Sequence, residues 1–375
     1  MSGPRVLPVH TGRAAYDVWL GAGLLPRLGA LVTEVHAPSC VAVVTDDVVA
    51  RLHLEGALAA LAAEGLRAEA FVVPAGEGSK SPAEAERLWT HFGGMRLGRG
   101  DVVVALGGGV VGDLAGFCAA TWHRGVPVVQ VPTTLLAMAD AAIGGKVAID
   151  LPIGRNLVGA FHHPLRVVAD VATLATLPRR DVAAGLGEVV KCAVLDERGA
   201  LATLRERATD LLAGAAAPLA DAVALGMRVK IGLVSQDPEE RGGRRVLLNL
   251  GHTTAHALET ACGHGVLRHG EAVAVGLVVA ARIAATRGLA DAALTEEIAA
   301  TLRALELPTE LPPDTDLERV VELSRRDKKA HAGTRRMVLP VSPSAPAEAG
   351  PSGSAVVVDV GDDELRAALA SARPM

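Results

Sequence analysis

Up to about residue 175, short runs of β-branched residues alternate with Ala-, Leu- and Glu-rich stretches whose apolar positions recur at helical spacing. The clearest strands are Cys40–Thr45, Phe71–Pro74, Asp101–Leu106 and Val128–Val131. Alternation of this kind builds a parallel sheet flanked by helices. From about Pro178 the pattern becomes helical, with candidates at Ala183–Val194, Ala215–Ser235, His252–Ala261, Glu271–Arg287 and Ala292–Leu305. The stretch from Ser342 to Ser354, SPSAPAEAGPSGS, reads as an exposed loop before a last strand, Ala355–Val360, and a short terminal helix. The expected fold class is therefore α/β: an N-terminal Rossmann-like parallel-sheet domain over residues 1–177, then a mainly α-helical domain over 178–375.

Three Gly residues follow the third strand, in DVVVALGGGVVGDLAGFCAA, and an Ala-rich helix follows them. Gly107, Gly108 and Gly109 let a dinucleotide pyrophosphate approach the backbone, and the helix N-terminus adds amide donors and partial positive charge. The spacing departs from G-x-G-x-x-G, so the signal alone is moderate. GEGSK (76–80) and PTT (132–134) place a carboxylate, an ammonium and two hydroxyls near the ends of strands, where open α/β sheets hold cofactors.

Between 140 and 156, DAAIGGKVAIDLPIGRN gathers Asp140, Lys146, Arg155 and Asn156 in what reads as a glycine-interrupted loop; alone it could be solvated surface charge. In GLGEVVKC, Glu188 and Lys191 are one helical turn apart among apolar neighbours, an ion pair or a site. RRVLLNLGHTTAHALE sets out Arg245, Asn249, His252 and His256, and HGEAV brings His269. Two histidines and a carboxylate with an open position suit catalytic zinc. The 252/256 pair has zinc-protease spacing, but position 253 is Thr where that motif needs its general-base Glu. Spacing leaves open which two histidines join the carboxylate. RDKK supplies Lys328 and Lys329, which alone would read as surface charge.

Composition narrows the classes. A formal charge of -5 gives no global attraction to nucleic acid or an anionic membrane. Cys40, Cys118, Cys192 and Cys262 form no C-x-x-C pair, which fits a reducing cytoplasm. The longest apolar run, 272–281, is about half a membrane span, and no signal-peptide pattern opens the chain. The expectation is a cytoplasmic enzyme with neither nucleic-acid nor membrane partners.

Taken together, GGGVVGD, PTTLLAMAD, GGK, GEVVK, LNLGHTTAHALE, HGEAV and RDKK closely resemble the 3-dehydroquinate synthases of the sugar phosphate cyclase superfamily, in order and with nearly the same spacing over residues 40–340. The resemblance implies a small-molecule sugar phosphate substrate, 3-deoxy-arabino-heptulosonate 7-phosphate, and an NAD- and metal-dependent phosphate-eliminating cyclase of the shikimate pathway. C5 is oxidised transiently, phosphate is eliminated, C5 is reduced and an aldol closure makes the carbocycle, so NAD is recycled. It also implies Glu188, His252 and His269 as ligands of a divalent metal, zinc with cobalt able to substitute.

Phosphate contacts are then implied for Lys146, Asn156, His256 and a lysine of Lys328/Lys329, with Arg124 donated by a second subunit of a homodimer. Asp140, Lys191, Lys230, Arg245 and Asn249 surround the substrate's carboxylate and hydroxyls. The implied NAD set is Asp46, Glu77, Lys80, Gly108, Gly109, Val110, Gly112, Asp113, Thr133, Thr134, Thr173 and Thr176, with Lys146 and Arg155 alongside. Arg155 stands where these enzymes usually carry Lys, and QDPEERGG holds one extra residue, placed after Asp237. A polyol dehydrogenase of similar fold would need no paired anion sites, and cyclases making inosose or valiolone rings would not need Arg245 and Asn249. An aminodehydroquinate synthase would keep both.

Overall fold

The computed structural model describes residues 3–12, 14–195, 199–241, 243–263, 265–325, 335–342 and 354–374. Its contacts divide the chain into two compact units, 1–178 with 214–239, and 179–213 with 240–375. The helix Ala216–Gln236 groups with the first unit, and Gly226 lets its backbone approach Ala139, where an added Cβ would lie 3.2 Å from the Ala139 Cβ.

The first unit is built on a seven-stranded sheet: β1 (Arg5–His10), β2 (Ala15–Gly21), β3 (Cys40–Asp46), β4 (Arg67–Val73), β5 (Val102–Gly107), β6 (Val128–Pro132) and β9 (Arg166–Asp170). The order is β1-β2-β9-β6-β5-β3-β4, and only the β1–β2 pair is antiparallel. The parallel strands β3, β4, β5, β6 and β9 thus follow the doubly wound order 2-1-3-4-5 rather than the 3-2-1-4-5-6 order of dinucleotide-binding sheets. Continuous apolar runs suit β3 and β5 because both faces are covered. Cys40, Ala42, Val44, Val103 and Ala105 pack under the helices Pro82–Met95 and Gly109–Thr121. The alternate residues Val41, Val43, Val102, Val104 and Leu106 pack under Leu28–Thr33 and Glu55–Ala63. Successive strands are added on one side of β3 for β4 and on the other for β5, β6 and β9, so the crevice at the carboxyl ends of β3 and β5 is where such a sheet accepts a ligand.

Two features depart from expectation. The N-terminal β1–β2 ribbon extends the sheet, and residues 146–161 form an antiparallel hairpin, β7 (Lys146–Leu151) with β8 (Gly154–Phe161), where the glycines suggested a loop.

In the second unit the helix His269–Thr286 is the buried centre, with Val273, Val275, Val278 and Val279 all but inaccessible. It is long and apolar enough to cross a membrane, and 78% of it is buried here. Around it lie Arg179–Leu195, His252–Cys262, Ala292–Ala304, Leu317–Ser324 and Asp362–Ser371, with an antiparallel pair β10 (Arg335–Pro340) and β11 (Ala355–Val360). The final strand and terminal helix fall where the sequence pattern put them.

Candidate active site and metal centre

In the first unit, β5 ends at Gly107 and the helix Gly109–Thr121 begins without a side-chain cap, leaving its first amides for a ligand. The glycines divide the work. An added Cβ at Gly108 would meet the Thr134 methyl at 3.2 Å, so a bulkier residue would narrow the turn. Gly112 serves packing instead: its Cβ would lie 2.8 Å from the Gln130 side-chain oxygen on β6, and its carbonyl accepts from that amide. Val110 lies on the first helical turn. Thr133 Oγ1 is buried with no hydrogen-bond partner among the described residues, and a bound ligand would satisfy it.

Lys80 is the hub beside this turn. Its buried ammonium donates to Asp113 at 2.9 Å and to Asn156 Oδ1 at 2.5 Å, and it lies 3.5 Å from Glu77 and 3.8 Å from Asp150. Arg155 sits on Glu77 at 2.6 Å, so the Arg that replaces the usual Lys turns its fork toward the carboxylates. Asn156, at φ 55°, is thereby placed against Lys80, and its amide donates to Asp150, a residue that the sequence reading missed. Asp46 ends β3 and accepts from the amides of Val48 and Val49. Thr173 and Thr176 spend their hydroxyl protons on the carbonyls of Asp170 and Thr173, and Thr176 Oγ1 also meets His53.

Asp140 belongs to a wide helical turn, Ala137–Ala141, closed by an Ala142 N–H donating to the Ala137 carbonyl, rather than to a loop. Lys230 donates to both its carbonyl and its carboxylate at 2.7 Å. Lys146 is exposed at the start of β7. Arg124 is exposed on the turn after the Gly109 helix, where His123 and Arg124 both take left-handed backbone angles. Such a conformation is costly for residues with side chains and concentrates at functional turns.

The second unit assembles the metal candidates. Glu188 and Lys191 lie on one face of Arg179–Leu195, each about 1% exposed, with the Lys191 ammonium on Glu188 Oε2. The other oxygen, Oε1, has no hydrogen-bond partner among the described residues, yet the Nε2 atoms of His252 and His269 both lie 3.5 Å from it. Ligands about 2.1 Å from a tetrahedral metal stand roughly 3.4 Å apart, so this spacing fits a dication at their centre. His252 Nδ1 faces the Leu250 carbonyl at 3.2 Å, which leaves Nε2 as the ligand atom. Burial, the Lys191 charge and the other histidines push His252 down to about 3, which keeps the ring neutral. Burial opposes ionised Glu188, but Lys191 and the two histidines hold its carboxyl well below the usual range. His256 lies edge-on to His252 at 5.5 Å and stacked on His269 at 6.1 Å, and its ring nitrogen groups with Glu259 and His269 rather than with Glu188. Glu259 Oε1 lies 3.4 Å from His269 Nδ1 and was absent from the sequence reading.

Glycines explain how three helices bring these groups together. Gly187 and Gly270, adjacent to Glu188 and His269, face one another: a Cβ on Gly270 would lie 1.7 Å from the Ala184 carbonyl, and one on Gly187 2.5 Å from the Gly270 carbonyl. Gly251, beside His252 and at φ 80°, makes the same close approach to Gly276. Gly270→Ala is therefore expected to destabilise the protein by about 1–3 kcal/mol and to weaken metal retention, whereas Gly232→Ala, in open space on a helix, should be neutral or stabilising. Thermal melts and metal analysis of both variants check this.

Arg245 is buried on the 3-10 turn Arg245–Asn249, and Asn249 donates to Glu240 at 3.4 Å. Lys328 and Lys329 lie outside the described residues.

Family comparison decides among the readings. Residues 70–184 match the model of the 3-dehydroquinate synthase N-terminal domain and 185–330 that of its C-terminal domain. The chain belongs to the 3-dehydroquinate synthase family. A 3-dehydroquinate synthase of Symbiobacterium thermophilum is 47% identical over 97% of this chain and all of that one, and the Rhodospirillum rubrum enzyme is 44% identical over 89% and 88%. Among solved structures, a 2-epi-5-epi-valiolone synthase of Streptomyces hygroscopicus, with NAD+ and Zn2+ bound, superposes with a TM-score of 0.85 at 27% identity over 96% of each chain. An iron-containing alcohol dehydrogenase of Thermotoga maritima, at 15% identity over 99% of each chain with a TM-score of 0.67, shares the fold of the 3-dehydroquinate synthase family alone.

Proposed function

We propose that this chain converts 3-deoxy-arabino-heptulosonate 7-phosphate into 3-dehydroquinate and inorganic phosphate, using recycled NAD and a divalent metal, zinc or cobalt. The observation that carries the reading is the meeting of two imidazole Nε2 atoms on a buried Glu188 Oε1 that has no hydrogen-bond partner among the described residues. When bound, NAD would supply a reversible hydride acceptor and the metal a Lewis acid for the C5 hydroxyl. Glu188, His252 and His269 would hold that metal, and the uncapped glycine turn with Gly108, Gly109, Thr133 and Thr134 would hold the dinucleotide.

The chain's own groups do the remaining work. Lys191 fixes Glu188 through Oε2 and sets a positive charge beside the point where the substrate hydroxyl sheds its proton. Arg245 offers a buried guanidinium to the substrate carboxylate, beside Asn249, while Lys230 and Asp140 address its hydroxyls. Lys146, Asn156, His256 and the Lys328/Lys329 pair are assigned to phosphate, whose own oxygens serve as the base in its elimination. The first unit, with the Ala216–Gln236 helix added, is read as the NAD domain, and the second as the metal domain.

Offering the heptulosonate phosphate beside glucose 6-phosphate and sedoheptulose 7-phosphate tests the assignment. Phosphate release from the first alone is expected; preference for either sugar without a carboxylate would overturn it. We also read the protein as a cytoplasmic homodimer in which Arg124 acts across the subunit boundary, a reading supported by that residue's exposure on its strained turn. Sedimentation should give a dimer, and a fully active monomer would contradict this.

A further inference from the structure

Accepting Glu188, His252 and His269 as the ligands of the proposed metal, we infer that Glu259 is a positioning residue that orients His269 for the metal through its Nδ1 edge.

The two histidines are held differently. His252 opens its helix directly after Gly251, and its Nδ1 faces the carbonyl of Leu250, two residues back on the same segment. That local contact comes with the backbone. His269 is the first residue of its own helix, follows a segment turned by Gly263 and Gly265, and has a more exposed side chain, 31% against 13% for His252. Among the described residues no hydrogen bond from its own segment fixes its ring. Glu271 and Arg180 pin the helix end: the carboxylate accepts from the Arg268 amide and pairs with the guanidinium at 2.6 Å, which sets the backbone at 268 to 271 but not the imidazole.

Glu259 fills this gap. It is buried on the third turn of His252–Cys262, and its Oε1 lies 3.4 Å from His269 Nδ1 while Nε2 of the same ring faces Glu188 Oε1 at 3.5 Å. A carboxylate on Nδ1–H fixes the tautomer that presents an Nε2 lone pair, fixes ring rotation and makes the imidazole a more basic ligand. One helix thus contributes twice to the centre, with His252 as ligand and Glu259 as support for the ligand of another helix. A cluster of His256, Glu259 and His269 is also compact enough to hold an ion of its own, and the test separates that outcome.

Chelator-stripped protein is titrated with zinc in competition with a chromophoric chelator, using wild type, Glu259→Ala and Glu259→Gln, with bound zinc counted per chain. Loss of the carboxylate is expected to weaken zinc binding by about 10- to 100-fold in the Ala variant. Gln, which keeps an oxygen to accept from Nδ1–H, should fall between Ala and wild type. All three should bind one zinc, with cobalt-substituted proteins keeping a tetrahedral visible spectrum. Wild-type affinity in the Gln and Ala variants alike would overturn the inference, as would two zinc ions in wild type of which one is lost with Glu259. Should Ala fail to fold, the near-isosteric Gln variant still decides. If His252→Ala retains zinc at full affinity, the ligand set itself has failed, which is a different result from a silent Glu259.

Discussion

His252→Ala and Glu188→Gln are expected to lose bound zinc and at least about a thousandfold in kcat/KM, a little over 4 kcal/mol of transition-state stabilisation. His252→Ala removes one of the three atoms that meet at 3.5 Å, and Glu188→Gln removes the negative charge from that meeting point and leaves the buried Lys191 ammonium without its anion. His256→Ala should behave differently. Its ring lies beside the other two but outside the Glu188, His252 and His269 group, so that variant should keep its metal while turning over slowly. Metal analysis with phosphate-release kinetics distinguishes these patterns. Metal retained without His252 and lost without His256 would exchange their roles. Chelation should silence the wild type and zinc or cobalt restore it.

The second large effect concerns Arg245. A buried guanidinium can hold a carboxylate through two parallel charge-assisted hydrogen bonds, and losing such a partner costs on the order of 2–5 kcal/mol. Arg245→Ala should lower kcat/KM on the heptulosonate phosphate by roughly thirtyfold or more, at about 1.4 kcal/mol per factor of ten. Arg245→Lys should recover only part of the loss, because it restores charge without the fork. NAD affinity, measured by fluorescence titration, should stay near wild type, since the glycine turn lies on β5 of the first unit. A kinetically silent Arg245→Ala, in a protein that cyclises glucose 6-phosphate or sedoheptulose 7-phosphate, would mean that no carboxylate is recognised there.

Local pattern carried the regular elements. The parallel strands are buried on both faces, so β3 and β5 read as unbroken apolar runs, and the long helices of the second unit end within a few residues of their expected bounds. The hairpin β7–β8 escaped because β8, GRNLVGAF, is largely exposed and carries two glycines, so it shows neither alternation nor a core run. Grouping of the Ala216–Gln236 helix with the first unit comes from contacts between residues far apart in the chain, Gly226 against Ala139 among them. The three histidines and Glu188 were visible as residue types. Spacing alone left open which pair would join the carboxylate and the family resemblance named 252 and 269, the two that the structure sets on Oε1 across helices. Glu259 was hidden for a related reason: its partner is His269, on a different helix. Asp150 lies in the stretch that reads as a loop and shows no role until the hairpin brings it beside Lys80.

Recycled NAD is the central claim, because it separates a cyclase from the alcohol dehydrogenases that share this fold. Purified zinc-loaded protein is given an excess of 3-deoxy-arabino-heptulosonate 7-phosphate over NAD, and phosphate, 3-dehydroquinate and NADH are measured together. The account predicts phosphate and 3-dehydroquinate in equal amounts, far exceeding the NAD supplied, with no lasting rise in NADH. NADH accumulating in step with substrate consumed, without phosphate, would contradict it.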